Sequence, residues 1–428
     1  DLTLQDAIDQ VVADQAATCF EGYEALDHAS CVQALVVNGE PATTAKAGDA
    51  VQVVLDTTPF YGEGGGQVGD RGVLAGSDLI VRIESVSRSR DVFVHAGRVE
   101  RGELALGDTV KAQVDRACRR RAQANHTATH LLQAALKQVV DPGIGQAGSL
   151  VDFDRLRFDF HCPTAVTADQ LQQVETLING WINEAHALQV QEMAIDQAKA
   201  AGAVAMFGEK YADVVRVVDV PGVSMELCGG THVTNTAEIG LFKIVAESGV
   251  AAGIRRIEAV AGPAVLAYLN ERDVVVKQLG DRFKAQPAEI VDRVAALQEE
   301  LKATGKALTA AQAELAVAKA GALAAKAEAV GDFQLLVERL DGVDGAGLQG
   351  AAQSLADQLG DGAAVVIGGL PDPGDMGKVI LVAAFGKQVI AAKLQAGKFI
   401  GGIAKQCGGG GGGRPNLAQA GGLSLIHI

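Results

Sequence analysis

Two short segments, far apart in this sequence, each hold a pair of residues that bind zinc well. HTATH sets His126 and His130 four positions apart, and CGGTH does the same for Cys228 and His232. On a helix, residues four apart share a face, and the two glycines of the second segment free the backbone to turn both side chains to one point. A histidine pair alone is most often an ordinary surface or core feature, but imidazoles and a thiolate together are typical zinc donors. The sequence therefore predicts a fold that brings the two segments together around one metal ion.

The chemistry of such a centre stays open at this level. Zinc peptidases with the H-E-x-x-H motif need a glutamate after the first histidine as general base, and Thr127 stands there instead, which excludes that class. Four protein ligands close the coordination sphere of a structural zinc. A loose or displaced ligand would instead let the metal activate a carbonyl or a water. Both kinds of site are compatible with the motif.

The composition is that of a globular chain with several domains. The 428 residues are 48% hydrophobic and 21% charged, which is ample for packed cores in about two to four domains. The six cysteines have no paired spacing, so a reducing, cytoplasmic location is expected. The net charge of -15 argues against a protein that coats nucleic acid. No apolar run approaches the ~18 residues of a membrane span, so no membrane partner is expected.

The spacing of apolar residues changes along the chain and predicts an α+β multi-domain fold. β-branched runs separated by glycine and aspartate turns predict a small barrel or sandwich first. From Ala117 the pattern is helical, without glycine or proline, as far as Asp141. The predicted parts are a partial linker at 1–19, a β-rich barrel-like subdomain at 20–115, an α+β zinc-binding domain at 116–262, a helical linker at 263–330, a small α/β domain at 331–422 and an artefactual tail, LSLIHI, at 423–428.

Two glycine-rich stretches each allow two interpretations. TPFYGEGGGQVGDRG at 58–72 holds six glycines, either in an ordinary β-turn or in a backbone surface that a ligand approaches closely. The run of six glycines at 408–413 lies in a segment, 391–422, that has no acidic residue. It predicts either a loop that binds the RNA backbone through its N–H groups or a flexible spacer.

Residues 288–330 are dominated by Ala, Leu, Glu and Lys and are predicted to form a helical arm. Val294, Leu301, Leu308 and Leu315 recur every seven residues, which is the spacing of a coiled-coil seam. One face of an ordinary packed helix explains the same pattern. A break is expected at Gly305.

A set of motifs, in order along nearly the whole chain, resembles the alanyl-tRNA synthetase family. The motifs are HTATHLL at 126–132, GQAGSLV at 145–151, LRFDF at 156–160, LCGGTH at 227–232, IGLFKI at 239–244, GIRRIEAVAG at 253–262, TPFYGEGGGQVGD at 58–70 and GGGGGGRPNLAQAGG at 408–422. The resemblance implies an editing domain that hydrolyses mischarged Ser-tRNA(Ala) or Gly-tRNA(Ala). An alanine pocket rejects these errors poorly, because one methyl or hydroxyl is worth only ~1–3 kcal/mol, so a second site is needed.

The resemblance also implies roles for individual residues. His126, His130, Cys228 and His232 match the zinc ligands, and Gln146 matches a position associated with editing, where its amide can orient water or the ester. Thr58 and Thr129 offer hydroxyls for recognising serine, and a packing role is the alternative for each. The residues expected to hold tRNA, with a solvated basic face as the alternative, are Arg116, Arg119, Arg120, Arg121, Lys243, Arg255, Arg256, Lys398, Lys405 and Arg414.

The family's aminoacylation domain has no counterpart in this sequence, which is therefore interpreted as the C-terminal portion of a longer gene product. The expected partners are Zn²⁺, tRNA(Ala) and a second copy of the chain bound through the helical linker and C-terminal domain. ATP is expected only for the missing domain, which would attach alanine to tRNA(Ala). Two alternatives remain open: a non-catalytic RNA-binding module that zinc stabilises, and a free-standing deacylase that edits in trans.

Overall fold

The computed structural model describes residues 11–13, 15–205, 212–374 and 377–422. The chain divides into two units, Asp1–Val275 and Val276–Ile428. The tail expected at 423–428 lies outside the described residues, as do residues 1–10 and 14 of the expected linker. The finer domain boundaries expected from the sequence stay predictions.

The first unit begins with a closed β-barrel, as the β-branched runs predicted. Its strands are β1 (Cys19–Phe20), β2 (Asp27–Val37), β3 (Glu40–Pro41), β4 (Thr44–Lys46), β5 (Ala50–Leu55), β6 (Thr57–Thr58), β7 (Gly72–Ala75), β8 (Ile80–Ser89), β9 (Val92–Arg101), β10 (Glu103–Ala105) and β11 (Thr109–Val114). Six of them close the barrel in the order β11-β7-β8-β9-β5-β2, and β2 pairs back to β11. Val51, Val53 and Leu55 alternate along β5 into a largely aliphatic core.

The rest of the first unit is an α+β module around one helix. Its elements are α1 (Arg116–Val139), β12 (Gln146–Val151), β13 (Leu156–His161), α2 (Ala168–Asn183), β14 (Gln189–Ala194), α3 (Ile195–Ala200), β15 (Val214–Val220), β16 (Ser224–Leu227), β17 (Phe242–Ala251) and β18 (Ile254–Ala261). The strands form two antiparallel sheets, β12-β13-β18-β17 and β14-β15-β16. Phe158 and Phe160 of the first sheet share a buried core with Leu131 and Leu132 of α1.

Helix α1 begins at Arg116, one residue before the start at Ala117 that the sequence predicted. The Asp115 carboxylate caps it by accepting hydrogen bonds from the backbone N–H groups of Ala117 and Cys118. Buried residues occur on every side of the helix, polar ones among them. A helix enclosed in this way must satisfy its polar side chains inside the protein, so its surroundings fix their directions.

The second unit is built on a six-stranded mixed sheet, in agreement with the small α/β domain expected there. Helix α4 (Pro263–Phe283) crosses the division between the units, and the elements that follow are α5 (Ile290–Gly321), β19 (Glu328–Val330), β20 (Phe333–Arg339), α6 (Gly345–Leu359), β21 (Ala363–Gly369), β22 (Val379–Phe385), α7 (Lys387–Ala391), α8 (Ala396–Gln406), β23 (Gly410–Gly413) and β24 (Leu417–Gly422). The strand order is β19-β20-β21-β22-β24-β23. Only the neighbours β20 and β21 are parallel among these described strands, and α6 connects them.

Two expectations about glycine in this unit are wrong. Helix α5 continues through Gly305, so there is no break at that residue. Most of the glycine run at 408–413 is neither a loop nor a flexible spacer, because Gly410–Gly413 form β23, which pairs with β24. Binding of the RNA backbone at this segment stays a prediction. A side chain on Gly411 would place its Cβ 2.3 Å from the Cα of Ala420, so the close packing of these strands requires glycine.

The heptad leucines of α5 are exposed. Leu301, Leu308 and Leu315 have relative exposures of 75%, 58% and 54%, so within the described residues nothing covers the expected seam. Coiled-coil pairing therefore stays a prediction. None of the described helices is both long enough and apolar enough to cross a membrane.

Candidate metal centre

The four predicted zinc ligands meet at one point in the first unit. The Nε2 atoms of His126 and His232 lie 3.4 and 3.2 Å from the Sγ of Cys228. The ligand atoms of these residues and His130 all lie within 4.8 Å of one another. Zinc bonds of about 2.0 Å to nitrogen and 2.3 Å to sulfur put tetrahedral ligand atoms roughly 3.3–3.5 Å apart. The donors and their spacing therefore fit a single Zn²⁺, and no second group of this kind occurs in the described ranges.

The loop that carries Cys228 and His232 is held by hydrogen bonds to its carbonyl groups. One guanidinium nitrogen of Arg216 donates to the carbonyls of Cys228 and Gly230, both at 2.9 Å, and the Tyr23 hydroxyl donates to that of Gly229 at 2.6 Å. A Cβ on Gly230 would lie 2.1 Å from the His126 ring, so only glycine fits there. Sequence reasoning missed Arg216 and Tyr23, because no motif links them to the loop.

At Cys228 and His232, the electrostatics of the centre favour the protonation states that bind metal. Burial by itself raises the pKa of the Cys228 thiol, but His126 and His232 beside it outweigh burial and hold the pKa well below its usual value of 9. Burial lowers the pKa of His232 to about 3, so this imidazole is neutral at pH 7. A thiolate and a neutral imidazole are the forms that coordinate zinc.

Glu226 is a carboxylate at the centre that the sequence did not single out. It is 7% exposed, its Oε2 lies 3.7 Å from His130 Nε2, and its Oε1 accepts a hydrogen bond of 2.8 Å from the Ser224 hydroxyl. Burial lowers the pKa of His130, but Glu226 outweighs burial and raises it to about 9. Metal binding at neutral pH therefore has to release a proton from His130. A glutamate two positions before a cysteine has no meaning as a motif, so only the fold identifies it.

A pocket of about 220 Å³ opens beside the ligands. Cys228 and the two helical histidines line it, and so does Gln146, whose amide nitrogen donates to the Ser149 hydroxyl at 3.0 Å. Gly62, Gly64 and Gly65 of the glycine-rich stretch also line the pocket. Of the two interpretations of that stretch, this position favours the backbone surface that a ligand approaches closely.

The two threonines expected to recognise serine have different surroundings. Thr129 lines the pocket, and its hydroxyl donates to the Asn125 carbonyl at 2.8 Å, which leaves its lone pairs free to accept. Thr58 is fully buried in the barrel, with its hydroxyl 2.7 Å from His95 Nε2 and bonded to the backbone N–H of Phe60. The geometry therefore supports the packing alternative for Thr58.

Arg119 is not available to RNA, contrary to the expectation from the sequence. Its side chain is 2% exposed and forms an ion pair with Asp70, which is equally buried. The same guanidinium donates to the carbonyls of Gly22 and Pro59. Arg119 thus ties α1 to the barrel, and three arginines in a row gave no signal that one of them points inward.

The other basic residues expected to hold tRNA lie at or near the surface. Arg116 is exposed, and the Arg120 side chain is 68% exposed. Five of these residues form ion pairs: Arg120 with Glu238, Arg121 with Asp154, Lys243 with Glu175, Arg255 with Glu247 and Arg256 with Asp159. In the second unit Lys398, Lys405 and Arg414 are exposed. Their contact with RNA stays a prediction.

Family models match three parts of the chain. The model described as tRNA synthetases class II (A) matches residues 2–118, which include the barrel. The model of the threonyl and alanyl tRNA synthetase second additional domain matches residues 215–258, which include Cys228 and His232. The DHHA1 domain matches residues 332–425, in the second unit.

Two curated relatives are similar to almost the whole of this chain. The alanine–tRNA ligase of Synechococcus sp. (strain CC9605) is 99% identical over 422 residues, and that of Parasynechococcus marenigrum (strain WH8102) is 91% identical over 422 residues. Each alignment covers 99% of this chain and 48% of the relative, so the chain spans about half the length of the relatives it matches.

Among solved structures, the C-Ala domain from Aquifex aeolicus alanyl-tRNA synthetase is 30% identical. The match covers 23% of this chain and 84% of that one, with a TM-score of 0.19, which is too low to support a conclusion about the fold. The identities to the curated relatives and the three family matches agree with each other along the chain. By sequence, this chain belongs to the alanine–tRNA ligase family.

Proposed function

We propose that this chain carries the editing activity of an alanine–tRNA ligase, with Zn²⁺ held by His126, His130, Cys228 and His232. The reaction is hydrolysis of the ester in Ser-tRNA(Ala) or Gly-tRNA(Ala). One observation carries the proposal: three of the four ligand residues, His126, His130 and Cys228, line a pocket that Gln146 and Thr129 also line. A zinc ion with a purely structural role has no need of such a pocket. Membership of the family supports the choice of substrate.

Hydrolysis requires water to add to the ester carbonyl carbon, after which the bond from that carbon to the ribose oxygen breaks. Bound Zn²⁺ supplies Lewis-acid chemistry, which stabilises negative charge that develops on oxygen. The Gln146 amide, beside the ligands, can orient the water or the ester through hydrogen bonds. The bare backbone of Gly62, Gly64 and Gly65 lets the terminal nucleotide approach the pocket wall closely.

Thr129 is the residue proposed to favour serine over alanine. Its hydroxyl hydrogen is used by the Asn125 carbonyl, so its oxygen is left to accept a hydrogen bond from the serine hydroxyl. An alanyl ester lacks that hydroxyl and would leave the oxygen unpaired. Sites built to hydrogen-bond a substrate group discriminate well against an analogue without it.

The wider function follows from the family and stays within the proposal. Arg116 and Arg120 in the first unit, and Lys398, Lys405 and Arg414 in the second, are proposed to contact the phosphates of tRNA(Ala). The whole protein is proposed to act in the cytoplasm and to attach alanine to tRNA(Ala) with ATP. A homodimer formed through the exposed leucine face of α5 is part of the same proposal.

One observation favours a second candidate, a non-catalytic module that zinc stabilises: four protein ligands are available, and four close a tetrahedral site.

Release of serine from Ser-tRNA(Ala) by the zinc-loaded chain distinguishes the editing enzyme from the non-catalytic module. Cys228→Ala should lose zinc and at least 100-fold in rate, on the order of other lost catalytic contacts. Gln146→Ala should keep zinc, and its rate of serine release should fall about 100-fold. The control is Gln138→Ala, at an exposed position on α1, which should retain the wild-type rate. If the zinc-loaded wild type releases serine no faster than buffer, the chain is the non-catalytic module.

A further inference from the structure

Gln67 is a buried polar residue at the metal centre that the proposed reaction does not use. It lies in the glycine-rich stretch and is 0% exposed. Its Oε1 is 2.7 Å from the Nδ1 of His126 and accepts a hydrogen bond of 2.9 Å from the backbone N–H of Thr231. Its Nε2 donates to the Thr231 hydroxyl at 2.8 Å. One side chain therefore contacts both segments that carry the ligands.

The contacts of Gln67 decide which way its amide points. The backbone N–H of Thr231 can only donate, so the Gln67 atom 2.9 Å from it has to be the oxygen. That same oxygen faces His126 Nδ1 and cannot donate, so Nδ1 must carry the proton. The lone pair of the neutral ring then lies on Nε2, which is the atom that faces Cys228 Sγ at 3.4 Å. Gln67 thus selects the tautomer of His126 that can bind a metal at the centre.

The loop histidine, His232, also has a partner at its Nδ1. Thr127 Oγ1 lies 3.1 Å from His232 Nδ1, and it also accepts from the backbone N–H of Val233. His232 Nε2 is therefore left to face the Cys228 sulfur, as His126 Nε2 does. Each of these two histidine rings is therefore held by a side chain that contacts its Nδ1. Thr127 of α1 holds His232, and Gln67 of the glycine-rich stretch holds His126.

Hydrogen bonds of the neighbouring residues hold the backbone at Gln67 in place. The backbone N–H of Val68 bonds to the carbonyl of Val151, and the N–H of Val151 bonds to the carbonyl of Gly66. Gly66 has a φ of +82°, and a Cβ there would lie 2.4 Å from the Ser149 hydroxyl. At the far end of the side chain, a Cβ on Gly230 would lie 3.0 Å from Gln67 Oε1. Glycine at both ends therefore lets the amide reach between the two ligand segments.

We propose that Gln67 is a positioning residue that holds His126 in its Nδ1–H tautomer and joins the HTATH helix to the CGGTH loop. The part that concerns zinc rests on the proposed function. Residues that orient a metal ligand in this way typically change metal affinity by about 10–100-fold when they are replaced. The glycine-rich stretch then contributes to the centre through one amide, in addition to lining the pocket.

Two variants of Gln67 and one control in the full chain test this role. Gln67→Met has a similar size and makes none of the hydrogen bonds, whereas Gln67→Glu keeps an acceptor oxygen for His126. The control is Gln52→Met, in strand β5 of the barrel, where the half-buried side chain has an Oε1 without a hydrogen-bond partner among the described residues. Thermal unfolding of each variant establishes that the first unit is folded.

Zinc affinity, measured by competition with a chromophoric chelator, is the first readout. It should fall by about 10–100-fold in Gln67→Met, less in Gln67→Glu and not at all in Gln52→Met. The tautomer of His126 in the zinc-free protein, measured by ¹⁵N NMR with labelled histidine, is the second. It should be Nδ1–H in the wild type, Gln52→Met and Gln67→Glu, and mixed in Gln67→Met.

The outcomes separate this proposal from the proposed function. Zinc affinity in Gln67→Met equal to that of Gln52→Met, or an unchanged His126 tautomer, overturns the role of Gln67 and leaves zinc-dependent editing intact. A wild-type chain that binds no zinc overturns the proposed function. Even in that case, the tautomer of His126 in the metal-free protein shows whether Gln67 positions this histidine.

Discussion

Helices α1 and α5 are both rich in alanine and leucine, but they differ in what surrounds them. Fifteen of the 24 residues of α1 are buried. In α5, which has 32 residues, only Ile290, Ala316 and Ala320 are buried among the described residues. The enclosed helix holds two metal ligands, and the exposed helix offers no comparable cluster of polar side chains. A helix can fix polar side chains in one geometry when neighbouring elements bond them, and solvent does not do so.

The cost of this arrangement is that α1 depends on every buried polar contact being made. Arg119 bonds to Asp70 and two carbonyl groups, and Asn125 donates to the carbonyl of Asp152. Loss of one partner leaves the other buried and unpaired, which costs far more than a lost surface contact. Helix α5 has only three buried residues among those described, so substitutions there should change the free energy of unfolding little unless a second chain covers the helix.

The largest effect is expected from Arg119→Met. This change leaves the Asp70 carboxylate buried without its partner, so the free energy of unfolding of the first unit should fall by about 3–5 kcal/mol. Urea unfolding followed by the fluorescence of Trp181, the one tryptophan of the chain, measures it. The matched control is Arg101→Met, which breaks an ion pair with Asp78 whose side chains are 59% and 89% exposed and should cost less than about 1 kcal/mol. Equal losses in the two variants would show that burial does not set the strength of the contact.

A pair of leucines compares the two helices directly. Leu131 of α1 is 0% exposed and Leu301 of α5 is 75% exposed. Leu131→Ala should cost about 2–5 kcal/mol through lost burial and a cavity, and Leu301→Ala less than about 0.5 kcal/mol, both measured by scanning calorimetry. A cost of 2 kcal/mol or more for Leu301→Ala in the monomeric chain would contradict the comparison. A cost that occurs only at protein concentrations at which the chain dimerises would indicate that a second copy covers the heptad face, as proposed.

His95, buried in the barrel, extends the comparison to pH. Burial lowers its pKa from 6.5 to about 4. The unfolded chain therefore binds a proton that the folded chain does not between these two pH values, so this histidine makes stability rise as pH rises through that window. Relative to neutral pH, about 3 kcal/mol is lost on acidification below pH 4.

The variant His95→Gln removes this dependence. The difference in unfolding free energy between wild type and His95→Gln should therefore shrink by up to about 3 kcal/mol between pH 7.5 and pH 4. Urea unfolding followed by Trp181 fluorescence measures the difference at each pH. The exposed Glu103→Gln on β10, in the same unit as His95, should give a difference that changes by less than about 0.5 kcal/mol over this range. A constant difference for His95→Gln would mean that the folded barrel protonates this histidine as readily as the unfolded chain does.

The sequence predicted those features that depend on local spacing. Histidines four apart on a helix share a face whatever the rest of the fold does, and β-branched runs predicted the barrel. Apart from the four metal ligands, whose shared chemistry links two distant segments, the sequence did not predict contacts whose partner lies far along the chain. Arg119 looked like part of a basic surface because Asp70 is 49 positions away. The glycine run forms a strand because it pairs with β24, where a Cβ on Gly411 would lie 2.3 Å from the Cα of Ala420.

Zinc K-edge X-ray absorption of the zinc-loaded chain tests most directly whether the four residues bind one ion. The geometry predicts one sulfur neighbour at about 2.3 Å and three nitrogen neighbours at about 2.0 Å. Cys228→Ala, which is expected to lose zinc, should give no spectrum of bound zinc. A wild-type spectrum without sulfur, or a chain that binds no zinc, would contradict the metal centre and the editing function proposed for it.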